Sequence, residues 1–177
     1  MNVICISGKA QHGKDTAAGI LKECLEERGD KVLVTHYADL LKYICRTYFG
    51  WDGNKDEHGR QILQYVGTDV IRKKAPDYWV DFIAGFLELF NDEWDWVLIP
   101  DTRFQNEVDV MRERFGAMHL RVVRPNFISS LTKEQQNHPS EIALDDYFPD
   151  YYIENSGDLE QLRETVNTWI KETIYAD

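Results

Sequence analysis

A nine-residue stretch, Gly8-Lys9-Ala10-Gln11-His12-Gly13-Lys14-Asp15-Thr16, set directly behind the apolar run Val3-Ile4-Cys5-Ile6-Ser7, constrains this chain more than any other part of it. A glycine-bounded loop that leaves a strand and opens a helix turns its backbone N–H groups toward phosphates, and the lysine at its end reaches the β- and γ-phosphates. The pattern predicts a nucleotide-binding P-loop. The residues behind it predict the helix such a loop needs, with Ala17, Leu21, Cys24 and Leu25 recurring on one face before Gly29 ends the pattern. One position departs from the usual motif: where Ser or Thr follows the lysine to bind Mg²⁺, this chain has Asp15, and its hydroxyl comes one residue later at Thr16. A carboxylate beside phosphates is tolerable with a metal between them, and an acid also suits a helix's first turn, so Asp15 reads as a metal contact or as a helix-start residue.

With 177 residues, one well-cored domain spanning 1–177 is expected. Hydrophobic content of 43% with 29% charged residues is ordinary for a globular chain, and no apolar run approaches the ~20 residues that span a bilayer. The first residues show no basic, apolar, small-residue succession, so no secretory signal is expected. Cys5, Cys24 and Cys45 each fall in an apolar pattern without paired or metal-ligand spacing and read as reduced core residues of a cytoplasmic protein. A formal net charge of −11 argues against a nucleic-acid polymer or an anionic membrane as partner, since both require a basic face.

Along the chain, Lys31 to Ala38 predicts a second strand, ending in Asp39 and a helix through Leu40, Leu41 and Ile44. Gly50 to Gly59 reads as a solvated loop; its Asn54-Lys55-Asp56-Glu57 imitates a guanine-reading motif but has Glu at the last position and no strand leading into it. From Arg60 a helix is expected, with Ile62, Val66 and Val70 on one face and Arg60, Gln64, Thr68 and Arg72 stepping by four on another. Gly67 in its middle makes sense if something must approach the backbone there. A further apolar helix runs from Tyr78 and Trp79 to about Phe90. Trp94 to Ile99 then predicts a strand ending in Pro100-Asp101, a Walker-B pattern that places a carboxylate at the sheet's carboxyl edge near a P-loop metal. Arg103 either faces the same phosphates or pairs with Glu107 on the next helix, expected from about Asn106 to Phe115. Met118 to Val123 predicts a fourth strand, closed by Arg124-Pro125. The polar stretch Asn126 to Ser140 reads as a mobile flap. A short strand at Tyr151 to Asn155 and a last helix, capped at Ser156-Gly157-Asp158 and burying Leu159, Leu162, Val166, Trp169 and Ile170, complete the pattern.

This alternation predicts an α/β fold: about five mainly parallel strands with helices on both faces. Ligands gather at the carboxyl ends of such strands, the edge that would unite Lys14, Asp39, Asp101 and Arg124. Phosphoryl transfer asks a protein mainly to position donor and acceptor and to neutralise negative charge. Lys14, a Mg²⁺ near Asp15, Thr16 and Asp101, and arginines from separate segments would supply that. The insertion at about 39–90, with Arg60, Gln64, Thr68, Arg72 and Trp79, is the expected acceptor pocket: guanidinium binds phosphate bidentately, and an aromatic or amide suits a planar base.

Five segments together resemble the phage-type deoxynucleoside monophosphate kinases: Gly8 to Thr16 with its Lys-Asp-Thr ending; Tyr37-Ala38-Asp39-Leu40-Leu41-Lys42; Leu63-Gln64-x-x-Gly67-Thr68-x-x-x-Arg72; Asp101-x-Arg103-Phe104-x-Asn106-Glu107; and His138-x-Ser140-Glu141. The likeness runs through Ile153-Glu154-Asn155-x-Gly157. It implies a P-loop kinase fold and transfer of the ATP γ-phosphoryl group to a deoxynucleoside 5′-monophosphate, with Mg²⁺ as cofactor. Gly8, Lys9, Ala10, His12, Gly13, Lys14, Asp15 and Thr16 would then bind ATP, with Lys14 at its phosphates and Asp101 near the metal. Arg72 and Arg103 would face the acceptor or the transferred phosphate, and Asp39 and Lys42 would lie at the acceptor end. Arg124 and a lid at about 124–141 would close over the donor. Animal phosphomevalonate kinases are similar too, and bind an acceptor with no base; Gln64, Trp79 and Phe104 favour a nucleotide. A regulatory module that binds ATP without an acceptor is the reading from another class, opposed by the basic strip at Arg60 to Arg72. The base preference and a homodimer stay open.

Overall fold

The structure, a computed structural model, describes residues 1–54 and 56–175, so Lys55 of the guanine-motif look-alike lies outside the described residues. Five strands form one sheet in the order β2-β3-β1-β4-β5. These are β1 (Asn2–Ser7), β2 (Val32–Val34), β3 (Trp96–Ile99), β4 (Met118–Val123) and β5 (Tyr151–Glu154), and every neighbouring pair is parallel. Strands covered on both faces read as unbroken apolar runs, and β1 and β3 are buried along almost their whole length.

Helix α1 (Lys14–Glu26) and helix α8 (Leu159–Trp169) cover one face, where Leu21, Leu25 and Val166 pack on Ile4 and Ile6. Helices α4 (Tyr78–Leu89) and α5 (Gln105–Phe115) cover the other, with Ile83, Leu87 and Met111 on Val3 and Cys5. All four apolar positions expected on the inner side of α1 are buried. On α8 the expectation holds from Leu162 onward, but Leu159 is exposed because it sits in the first turn, next to the Asp158 cap.

Between β2 and β3 the chain builds a separate helical wall: α2 (Ala38–Tyr48), α3 (Glu57–Gln64) and a π-helix (Tyr65–Arg72) that continues α3. The expected strand to Ala38 stops at Val34. The N–H groups of Tyr37 and Ala38, at the start of α2, go instead to the Asp101 carboxylate, at 3.0 and 2.9 Å. The loop from Gly50 is shorter than expected, since Asp56 accepts the Gly59 N–H at 2.8 Å and starts α3 before Arg60.

The π-helix has a local cause. The Trp79 indole donates to the Gly67 carbonyl at 3.1 Å, drawing that acceptor away from the helical ladder, while Leu41 presses so close that a Cβ on Gly67 would sit 2.6 Å from its Cδ2. These two contacts are what approaches the Gly67 backbone. The wider turn also keeps the polar strip in line. In an α-helix four residues overshoot a full turn by about 40°; in a π-helix, bonded i to i+5, four residues fall short of one. The drift after Gln64 therefore opposes the drift before it.

The stretch after β4 carries α6 (Lys133–Gln136) and α7 (Pro139–Ile142), two single turns where the sequence suggested none. Thr132 caps α6, and His138 caps α7 by accepting the Ser140 N–H at 3.2 Å. Among the described residues no helix is long and apolar enough to cross a membrane.

Candidate functional site

The loop from Gly8 to Gly13 leaves β1 at the sheet's carboxyl edge and turns through positive φ at Gly8 (146°), Gln11 (66°) and Gly13 (91°). Such alternation curls successive N–H groups into a concave nest for anions. Gly8 cannot be replaced, because a Cβ would lie 2.3 Å from the Val122 carbonyl oxygen. At the far end, Asn155 donates to His12 O at 3.1 Å and packs against Gly13, so β5 props the loop from behind.

Lys14 opens α1 but folds back over the loop, donating to Gly8 O at 2.8 Å and Lys9 O at 2.9 Å. It is 7% exposed. Burial first, and the Arg103 guanidinium second, lower its pKa from 10.5 to about 8. Its ammonium has backbone carbonyls as hydrogen-bond partners.

A cavity of about 430 Å³ opens beside the loop. Ala10, Lys14, Asp15, Asp101 and Arg103 line it on the sheet side, and Lys42, Arg60, Gln64, Thr68, Arg72 and Trp79 on the side of the helical wall. The whole strip stepping by four from Arg60 thus faces one space. Arg72 is held by four contacts: it ion-pairs with Glu107 at 2.5 Å, donates to Asn106 Oδ1 and to Pro76 O at 3.3 Å each, and stacks 3.7 Å from the Phe104 ring centroid. Trp79, expected at the substrate, is 4% exposed and donates its indole N–H to Gly67. It shapes the cavity floor and keeps no free polar group for a base.

Asp101 is correctly placed at the edge, but both its oxygens accept backbone N–H groups, and burial raises its pKa despite them. Each oxygen keeps a second lone pair. Among the described residues no group of three His, Cys, Asp or Glu side chains could enclose a metal. Mg²⁺ is typically held by one or two carboxylates together with phosphate oxygens and water. Asp15, whose side chain is 80% exposed, and Asp101 fit that part, with Thr16 exposed beside them.

A smaller cavity of about 300 Å³ lies on the other side of the loop, lined by Gly8, Lys9, His12 and again Arg103. Gly13, Thr16, Asp39 and Arg124 border neither space. Asp39 pairs with Lys42 at 2.9 Å and His36 at 3.4 Å. Arg124 sits behind the loop: its N–H meets His12 Nδ1 at 3.2 Å and its guanidinium lies 4.8 Å from the Phe127 ring centroid.

The pairing considered between Arg103 and Glu107 does not form through the side chains. Glu107 accepts the Arg103 and Phe104 backbone N–H groups at 2.7 and 3.0 Å while its other oxygen takes Arg72, and the Arg103 guanidinium turns to Glu141. Glu107 (2% exposed), Glu141 and His36 are the functional candidates that sequence reasoning missed. His36, inside an apparent strand, bridges Asp15 at 3.2 Å and Asp39 and gave no signal. Glu141 had one, the His138-x-Ser140-Glu141 match; His138 caps the turn there, and Glu141 reaches the loop.

Residues 41–166 match the deoxynucleotide monophosphate kinase family. The chain is 34% identical over 114 residues to the deoxynucleotide monophosphate kinase of Enterobacteria phage T4, a match covering 63% of this chain and 45% of that protein. It is 29% identical over 174 residues to a protein of Acanthamoeba polyphaga mimivirus provisionally named for the same activity, covering 81% of this chain and 82% of that one. Among solved structures, dephospho-CoA kinase from Campylobacter jejuni superposes with a TM-score of 0.55 at 13% identity, covering 97% of this chain and 96% of that one. Shikimate kinase from Aquifex aeolicus does so with 0.54 at 10% identity, covering 99% of each. The fold is that of the P-loop kinases, and the chain belongs to the deoxynucleotide monophosphate kinase family.

Proposed function

We propose that this protein transfers the γ-phosphoryl group of ATP to a deoxynucleoside 5′-monophosphate, giving ADP and the diphosphate. The observation that carries this is the single cavity with Lys14 and Asp15 on one side and Arg60, Gln64, Thr68 and Arg72 on the other. A hydrolase or switch has no use for that second basic wall. ATP lies along the loop from Gly8 to Thr16, with Arg124 and the 124–141 segment as its lid, and the monophosphate lies in the insertion at 39–90. Asp39 and Lys42 act at the acceptor end by fixing the start of α2. Asp15, Thr16 and Asp101 would hold Mg²⁺, which would supply neutralising positive charge at the phosphates. Lys14 and Arg103 stabilise the charge that spreads over the transferring group. Arg72, already stacked and paired, presents its remaining N–H groups to the acceptor phosphate without having to be ordered on binding.

The test is ADP release with ATP, Mg²⁺ and a panel of nucleoside and deoxynucleoside monophosphates. Turnover should depend on the added monophosphate and favour deoxyribose; ATP binding without stimulation by any of them would remove the proposal. In the same assay Arg72→Lys retains the charge beside Glu107 but loses the planar fork. The monophosphate KM should rise about tenfold with the ATP KM within about twofold, since bidentate recognition does not survive that exchange. A selective rise in the ATP KM would instead place Arg72 on the donor side.

A further inference from the structure

One N–H of the loop, that of Ala10, is already taken by a carboxylate of the protein itself. Glu141 Oε2 accepts the Ala10 N–H at 2.9 Å, and its Oε1 pairs with Arg103, whose guanidinium also donates to Ser140 O at 3.0 Å. The carboxylate is 9% exposed. Burial alone would raise its pKa, but Arg103 and the Ala10 N–H outweigh that and leave it lowered, with Lys14 acting in the same sense. Lys9 fastens the segment from outside, donating to Glu141 O at 2.6 Å and pairing with Asp145.

Its place along the loop identifies what it resembles. N–H groups at the helix start cradle the α- and β-phosphates, and the loop lysine reaches the β- and γ-phosphates. Lys14 curls back toward Gly8 and Lys9, away from the helix start, and Glu141 sits at this far end, between Ala10 and Arg103. An N–H group, a guanidinium and a nearby ammonium are what a terminal phosphoryl group would engage. Two anions held by the same donors at one site repel strongly, so they exclude one another.

We propose that Glu141 is an internal stand-in for the γ-phosphoryl group, holding its position until a triphosphate displaces it, and that it thereby sets the preference between ATP and ADP. The inference rests on ATP as donor. ADP fills the α and β positions and leaves Glu141 seated. ATP must eject the carboxylate, which parts it from Arg103 and frees that guanidinium for the transferring group. After transfer the carboxylate returns to the vacated position, which favours separation of the two products.

The test compares AMPPNP and ADP, each with Mg²⁺, binding to the wild-type chain and to Glu141→Gln by titration calorimetry. Gln retains the shape but not the charge, so AMPPNP should bind about tenfold tighter, the scale of one charged hydrogen bond, while ADP stays within about twofold. ADP binding also reports that the loop is still folded, and Glu141→Ala serves as the second variant if Gln disturbs it. Parallel weakening of both nucleotides in both variants, as expected if Glu141 only props α7 against the loop, would overturn the inference. So would an unchanged AMPPNP-to-ADP ratio. Neither nucleotide binding the wild-type chain would remove the donor reading itself, a different result from wild-type binding with no selective gain.

Discussion

Lys14→Met should cut turnover about a thousandfold or more, the scale of removing a principal charge from a phosphoryl-transfer site, while the nucleotide-free chain becomes no less stable. Both halves follow from one observation: the ammonium is buried with loop carbonyls as its hydrogen-bond partners. Its pKa of about 8, against 10.5 in the unfolded chain, gives the sign. Between those values the unfolded state binds more protons, so stability rises with pH there. Below pH 8 the charged form costs the free protein about 3 kcal/mol. Arg103 adds to this penalty, and Glu141, Asp15 and Asp101 reduce it. Denaturant melts of wild type and Lys14→Met from pH 7 to 10.5 should therefore converge as pH rises. Phosphates reverse the balance, so ATP binding at pH 8 to 9 should take up protons, measurable as a buffer-dependent heat. Melts that run parallel across this range would contradict the burial argument.

Glu107→Ala should be the most destabilising single change near the site, at about 3–5 kcal/mol, because it leaves Arg72 buried without its partner and orphans the Arg103 and Phe104 N–H groups. In a chain of this length that lowers Tm by roughly 10 °C. Glu107→Gln should fall between, since an amide oxygen retains an acceptor for the N–H groups but not the charge for Arg72. The two effects separate by substrate: the surviving folded fraction should lose affinity for the monophosphate before it loses ATP. A Tm within two or three degrees of wild type for Glu107→Ala would mean that Arg72 is held by its stack on Phe104 instead.

What was legible in the sequence is what local chemistry determines. β1 and β3 are apolar runs that a sheet covered on both faces requires, and the buried face of α1 is a period any such helix must show. The strip from Arg60 to Arg72 was legible as spacing, although the π-turn that keeps it aligned is imposed by Leu41 and Trp79 from elsewhere in the chain. Asp101 was legible as an edge carboxylate, whereas its use of both oxygens to start α2, which cuts β2 short, depends on a pairing between distant segments. Glu107 and Glu141 stood in matched segments, but their partners were hidden for the same reason. A carboxylate on a polar helix looks like a solvated one until the fold brings Arg72 or Ala10 against it.

The helical wall from α2 to the π-helix is pinned at two places just beyond β3: Asp101, in the connection that follows the strand, grips its first residues, and Glu107, in the first turn of α5, grips Arg72 at its last. Mechanically it is an arch with both feet on one footing. Displacement of an arch vanishes at its feet and is greatest at its crown, which here is the turn from Gly50 to Asn54, where Gly50 and Gly53 carry positive φ of 66° and 100°. On the proposed reaction, such a part would deepen or flatten to admit monophosphates of different size while its feet keep their distance from Lys14.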